Sequence, residues 1–86
     1  MQVTVYTTPS CPQCEMTKKV LTKGQVNYSI VDLSQDEQAM EMVKELGYSA
    51  APVVIAGEHH WSGFRHGYLS NLIKILHGAE GKAAAA

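Results

Sequence analysis

Val3 and Val5 alternate with Gln2, Thr4 and Tyr6, the period of two expected of a strand with one buried face, and Thr7-Thr8-Pro9-Ser10 then breaks the run. From Pro12 to Lys23 the spacing becomes helical. Met16, Val20 and Leu21 recur on one face, Lys18, Lys19 and Lys23 gather toward the end, and Gly24 stands where a helix commonly stops. Residues 26–33 form a second β-rich run. Ser34 and Glu37 follow at capping-box spacing, which predicts a helix starting there with Ala39, Met42, Val43 and Leu46 on one face. Residues 47–52 read as a loop. Val53-Val54-Ile55 and His59-His60-Trp61, on either side of Ala56-Gly57-Glu58, read as a hairpin, and Leu69, Leu72, Ile73 and Leu76 form the stripe of a last amphipathic helix.

The order is therefore βαβαββα, an α/β chain. A strand, helix, strand start implies a parallel pair joined by a right-handed crossover, and the hairpin extends that sheet with antiparallel strands. The result is a central four-stranded mixed sheet flanked by three helices, which cover both faces. Eighty-six residues leave room for one domain, and 45% hydrophobic against 17% charged residues allows it to fold by ordinary burial. The domain is expected over residues 1–78. Residues 79–86 carry no apolar face to dock and are expected to fray as a flexible tail.

A formal charge of −1, with the seven Lys and Arg scattered along the chain, gives no field suited to a nucleic-acid backbone. The first residues lack the basic and apolar regions of a secretory signal, and no apolar run has membrane-spanning length. A cytoplasmic, monomeric protein without nucleic-acid or membrane partners is the expectation.

Two cysteines two residues apart cannot build a scaffold of several bridges, so catalysis, metal binding or plain core filling remain. Cys11-Pro12-Gln13-Cys14 stands where the loop after the first strand turns into a helix, with Pro12 at the first helical position, which needs no amide hydrogen. Residues three apart at a helix start are neighbours, about 5–6 Å apart, a separation that suits a disulfide. Cys11 also lies at the positive end of the helix dipole, which favours its thiolate, whereas Cys14, one turn in, should be shielded and act second. A structural zinc site would need two of His59, His60, His66 and His77. The neighbours His59 and His60 would point to opposite faces of a strand, and there is no second CxxC, so redox chemistry is favoured and no metal is expected.

Taken together, Tyr6-Thr7-Thr8-Pro9-Ser10-Cys11-Pro12-Gln13-Cys14, Ala51-Pro52-Val53-Val54 and Trp61-Ser62-Gly63-Phe64-Arg65 resemble the NrdH-redoxins, up to about Leu76. These are glutaredoxin-like proteins of thioredoxin fold that donate electrons to class Ib ribonucleotide reductase. The resemblance implies a dithiol/disulfide oxidoreductase with catalytic Cys11 and Cys14 and no cofactor beyond that redox-active pair. It implies that Pro52 is cis and faces the cysteines, leaving the Ala51 backbone free to pair with an incoming chain. Pro12, Gln13, Ala51, Pro52, Trp61, Ser62, Gly63, Phe64 and Arg65 are the implied partner-binding residues.

Two positions depart from the family pattern. Thr8 stands where relatives often carry Lys or Arg, and His66 follows Arg65 where Pro is usual, which bears on partner affinity. Glutaredoxins that use glutathione also resemble this chain. They hold the tripeptide with a basic residue near the cysteines and a Gly-Gly segment followed by Asp, where this chain has Ser62-Gly63-Phe64-Arg65-His66-Gly67. The implied partners are thus thioredoxin reductase and class Ib ribonucleotide reductase. A glutathione-dependent glutaredoxin is the alternative, and a non-catalytic zinc-binding or interaction module the second.

Overall fold

The computed structural model describes residues 2–85, with side chains described for residues 2–77. Its elements run β1 (Val3–Thr7), α1 (Pro12–Lys23), β2 (Ser29–Asp32), α2 (Glu37–Glu45), β3 (Val53–Ala56), β4 (His59–Ser62) and α3 (His66–Ala85). The sheet order is β2-β1-β3-β4, with β1 parallel to β2 and antiparallel to β3, and β4 antiparallel to β3. This is the four-stranded mixed sheet that the sequence pattern implies, in the thioredoxin/glutaredoxin arrangement that the resemblance implies. The tail of residues 79–86, expected to fray, lies outside the residues whose side chains are described. No described helix is long and apolar enough to cross a membrane.

The two faces of the sheet carry separate cores, as a period of two requires. Val3, Val5, Val54 and Ala56 join Leu21, Leu69 and Leu72 in one cluster, which is therefore built with α1 and α3. Val53, with Tyr6, Val31 and Ile55 around it, meets Ala39 and Val43 of α2 on the other. Of the residues expected on the inner face of α2, Ala39 and Val43 are buried, Met42 is half-buried, and Leu46 becomes the exposed C-cap.

Two local expectations are corrected. Asp36, not Ser34, caps α2: its Oδ1 accepts the Ala39 N–H at 3.0 Å, while the Ser34 N–H and Oγ–H both donate to Asp32 Oδ1, at 2.9 and 2.6 Å. A carboxylate one residue before the helix outcompetes a hydroxyl already held in a turn. Strand β2 is shorter than the β-rich run because Val26 is used to close α1, its N–H donating to the Leu21 carbonyl at 3.0 Å. Gly24 caps the end of α1, as its position implies, without a left-handed turn. Its φ is −77°, and a Cβ there would stand 2.5 Å from Ile73 Cδ1, so its smallness serves the approach of α1 to α3.

The left-handed residue is Gln25, at φ 57°, whose N–H donates to the Thr22 carbonyl at 3.1 Å. With the Val26 bond this is a Schellman closure, and α2 ends in the same way with Gly47 at φ 95°. A Cβ in that conformation costs roughly 1–2 kcal/mol, partly offset by the greater freedom glycine loses on folding. Gln25→Gly is therefore expected to stabilise the fold by about 0.5–1 kcal/mol, read as a higher urea midpoint at unchanged slope.

Candidate active site

Strand register brings three loops to one end of the sheet. Tyr6, near the end of β1, pairs with Val53 at the start of β3, and Val53 pairs with Ser62 at the end of β4. The Cys11 loop, Pro52 and the turn at Gly63 are therefore neighbours by topology. Hydrogen bonds then tie them together. The Gly63 N–H donates to the Pro52 carbonyl at 2.7 Å, Ser62 Oγ–H to the Ala50 carbonyl at 2.9 Å, and the Phe64 N–H to Gln13 Oε1 at 3.3 Å. Gly63 sits at φ 85°, a conformation open to glycine, which is what lets the chain turn back over Gln13.

Cys11 is the N-cap of α1, in extended conformation after Ser10 at φ 56°. Its Sγ accepts the Cys14 N–H at 3.2 Å, so the sulfur occupies the position of a capping oxygen. The first turn holds Pro12, which has no N–H to leave unsatisfied, and Gln13, both exposed. Cys11 and Cys14 form a disulfide with their Cα atoms 5.2 Å apart. The two cysteines are unequal in access: Cys11 is half-exposed and Cys14 is 1% exposed. Oriented amides and the helix dipole favour negative charge at the more accessible of the two.

The Ala51-Pro52 peptide bond is cis, and Pro52 itself is fully buried. Trp61 lies in the core at 7% exposure, its ring 5.4 Å from that of Tyr68, and Phe64 is half-buried against the same cluster. Arg65 folds back on its own turn, its Nε–H donating to the Ser62 carbonyl at 3.3 Å. His66 opens α3, exposed and 6.2 Å from the Phe64 ring, and Thr8 is half-exposed. Among the described residues no three His, Cys, Asp or Glu side chains gather to hold a metal ion.

A family model described as glutaredoxin matches residues 3–61. The glutaredoxin-like protein NrdH of Escherichia coli is 33% identical over 79 residues, 92% of this chain and 98% of that protein. Its namesake in Lactococcus lactis is 36% identical over 70 residues, 81% of this chain and 97% of that one. The solved NrdH-redoxin structure from Escherichia coli superposes with a TM-score of 0.81, covering 84% of this chain and 95% of its own. The chain belongs to the NrdH-redoxins, within the glutaredoxin family. With its paired cysteines, this NrdH-redoxin is a thiol-disulfide oxidoreductase.

Sequence reasoning missed the parts that three residues play in the site's frame. Tyr48 Oη and His60 Nδ1 lie 2.6 Å apart, their rings edge to face at 5.6 Å, and so join the loop before Pro52 to β4. They are twelve residues apart in the chain and on elements of different type, so no local pattern marks the pair. Behind Cys14, Thr17 is fully buried with no partner for its Oγ1. An unsatisfied buried hydroxyl costs about 1–3 kcal/mol, so Thr17→Val, which keeps the shape, is expected to raise stability by about 1 kcal/mol in equilibrium unfolding.

Proposed function

We propose that this NrdH-redoxin carries electrons from thioredoxin reductase to class Ib ribonucleotide reductase, with Cys11 as attacking and Cys14 as resolving thiol. The observation that carries the assignment is the unequal access of the two cysteines, combined with the Cys14 N–H aimed at Cys11 Sγ. In the dithiol form the Cys11 thiolate attacks one sulfur of the partner's disulfide, and the other leaves as a thiolate. A mixed disulfide results. The Cys14 thiolate then attacks Cys11 Sγ, the second partner sulfur leaves, and two electrons have passed as the Cys11–Cys14 bond closes. Thioredoxin reductase reverses the closure.

Recognition falls to the loops around the pair. Among the described residues no loop or side-chain hydrogen bond claims the Ala51 N–H or carbonyl, which fits antiparallel pairing with an incoming chain in front of Pro52. Pro12, Gln13, Ser62, Gly63 and Phe64 flank that strip, braced by the Gln13–Phe64 and Gly63–Pro52 bonds. Arg65 stabilises the turn through the Ser62 carbonyl, and Trp61 anchors it in the core. The Escherichia coli NrdH-redoxin is described as having a thioredoxin-like activity profile, which supports thioredoxin reductase as the source here. The reading implies no further cofactor and a reducing, cytoplasmic setting in which the dithiol is regenerated.

Coupling NADPH and thioredoxin reductase to class Ib ribonucleotide reductase tests the whole route. Deoxyribonucleotide should form in proportion to added redoxin. Product formation that is indifferent to the redoxin would reject the route.

A further inference from the structure

We propose that a groove on the α1 side of the site binds an acidic, apolar segment flanking the disulfide of the protein that Cys11 attacks. The groove has a volume of about 660 Å³, and its floor includes Met16, Tyr28, Ile30 and Phe64. Met16 and Ile30 are 46% and 53% exposed, although both are large and apolar. Their exposure is a standing cost in water that an occupant would relieve.

Charge identifies the occupant. Lys18, Lys19 and Lys23 line the same groove against the single acid Glu15, in a chain whose formal charge is −1. Lys18 is held by Glu15 at 2.8 Å, and it is the only ion-paired lysine among the described residues. Lys19 and Lys23 are exposed and available. A patch with an apolar floor and an unpaired positive rim complements carboxylates set beside apolar side chains.

Position links the groove to the chemistry. Phe64 is both part of its floor and, through its N–H, bonded to Gln13 between the two cysteines. Along α1 the rise of about 1.5 Å per residue puts Lys19 about 12 Å and Lys23 about 18 Å beyond Cys11. An extended chain at about 3.3 Å per residue covers those distances in roughly four to six residues. A partner cysteine bonded to Cys11 would therefore place its fourth to sixth neighbours over the lysines.

The inference rests on Cys11 attacking a protein disulfide, but not on which reductase supplies the electrons. The test uses pre-reduced full-length protein and two synthetic disulfide peptides that differ only at positions four to six from the cysteine, Asp-Leu-Asp in one and Lys-Leu-Lys in the other. At low salt the acidic peptide should be reduced at least tenfold faster. The preference should vanish in the double variant Lys19→Glu, Lys23→Glu, and at 1 M salt, where the screening length is about 3 Å. The variant should still reduce a small uncharged disulfide at the wild-type rate. Equal rates for the two peptides, or a preference that survives charge reversal, would overturn the proposal. So would binding to anionic phospholipid vesicles that depends on Lys19 and Lys23 without any peptide preference, since the patch would then serve a membrane. Failure of thioredoxin reductase to reduce the wild type would instead count against the electron source and leave these rates intact.

Discussion

Cys11→Ser is expected to reduce disulfide turnover to the uncatalysed background with every oxidant, protein or small molecule. A serine hydroxyl at a helix start can cap the helix as well as the sulfur does, so the fold should persist while the nucleophile is lost. Cys14→Ser should behave differently. The half-exposed Cys11 sulfur can still attack, but nothing inside the protein can release the partner, so a mixed disulfide accumulates. Non-reducing mass spectrometry of the reaction with a protein disulfide reads this directly as a species of summed mass. Full turnover by Cys14→Ser on a protein substrate would remove Cys14 from the resolving role. Full activity in Cys11→Ser would remove the mechanism altogether.

Much of the fold was legible because the chain keeps its periods. The Val3, Val5 alternation and the Leu69, Leu72, Ile73, Leu76 stripe each pointed to the face that is now in the core, apart from Ile73 and Leu76, which pack at its margin. The start and end of α1 were readable from Pro12 and Lys23 because cap chemistry is local. What failed to show was competition between local choices. Ser34 and Asp36 both suit a helix start, and the winner depends on Asp32, which already holds Ser34. At the end of α1 the stop was legible but its geometry was not, since the packing of Ile73, nearly fifty residues on, is what requires Gly24 to be small while Gln25 takes the left-handed position. Of the site, the cysteine pair and the Pro52 and Gly63 loops were visible as motifs. The braces between them are long-range: Gln13 to Phe64 spans 51 positions and Tyr48 to His60 spans 12, and pairing of that kind leaves no trace in a window of sequence. Burial of two of the implied partner-binding residues, Pro52 and Trp61, was hidden for the same reason. Core packing takes most of Trp61 and all of Pro52, and leaves Met16 and Ile30 as the exposed apolar groups on the α1 side.

Glutathione with glutathione reductase is expected to support at least a hundredfold lower kcat/KM than thioredoxin reductase when each system feeds the protein from NADPH. Binding the tripeptide requires a cation for its carboxylates, an acid for its ammonium group, and free backbone donors along the groove. Thr8 brings no charge near the cysteines, and the stretch Gly63-Phe64-Arg65-His66-Gly67 contains no acid. Two of the backbone donors there are also occupied. The Gly63 N–H is bonded to the Pro52 carbonyl and the Phe64 N–H to Gln13, so a ligand carboxylate would have to displace an internal bond to be held. Arg65 is the nearest sequence candidate for a cation, but its Nε–H is directed to the Ser62 carbonyl of its own turn. A charge-assisted hydrogen bond is worth about 1.5–3 kcal/mol, so two that fail to form account for about 3–6 kcal/mol, and each 1.4 kcal/mol is tenfold in rate. On the proposed reading a protein reductase would not need those contacts, because it would bury backbone and apolar surface around Ala51 and Phe64 instead. Restoring the missing charges should move the ratio: a Thr8→Lys, Gly67→Asp variant is expected to gain glutathione-dependent turnover of insulin while losing little with thioredoxin reductase. Comparable kcat/KM for the two systems in the unaltered protein would reassign it to the glutathione-dependent glutaredoxins and leave the dithiol chemistry standing.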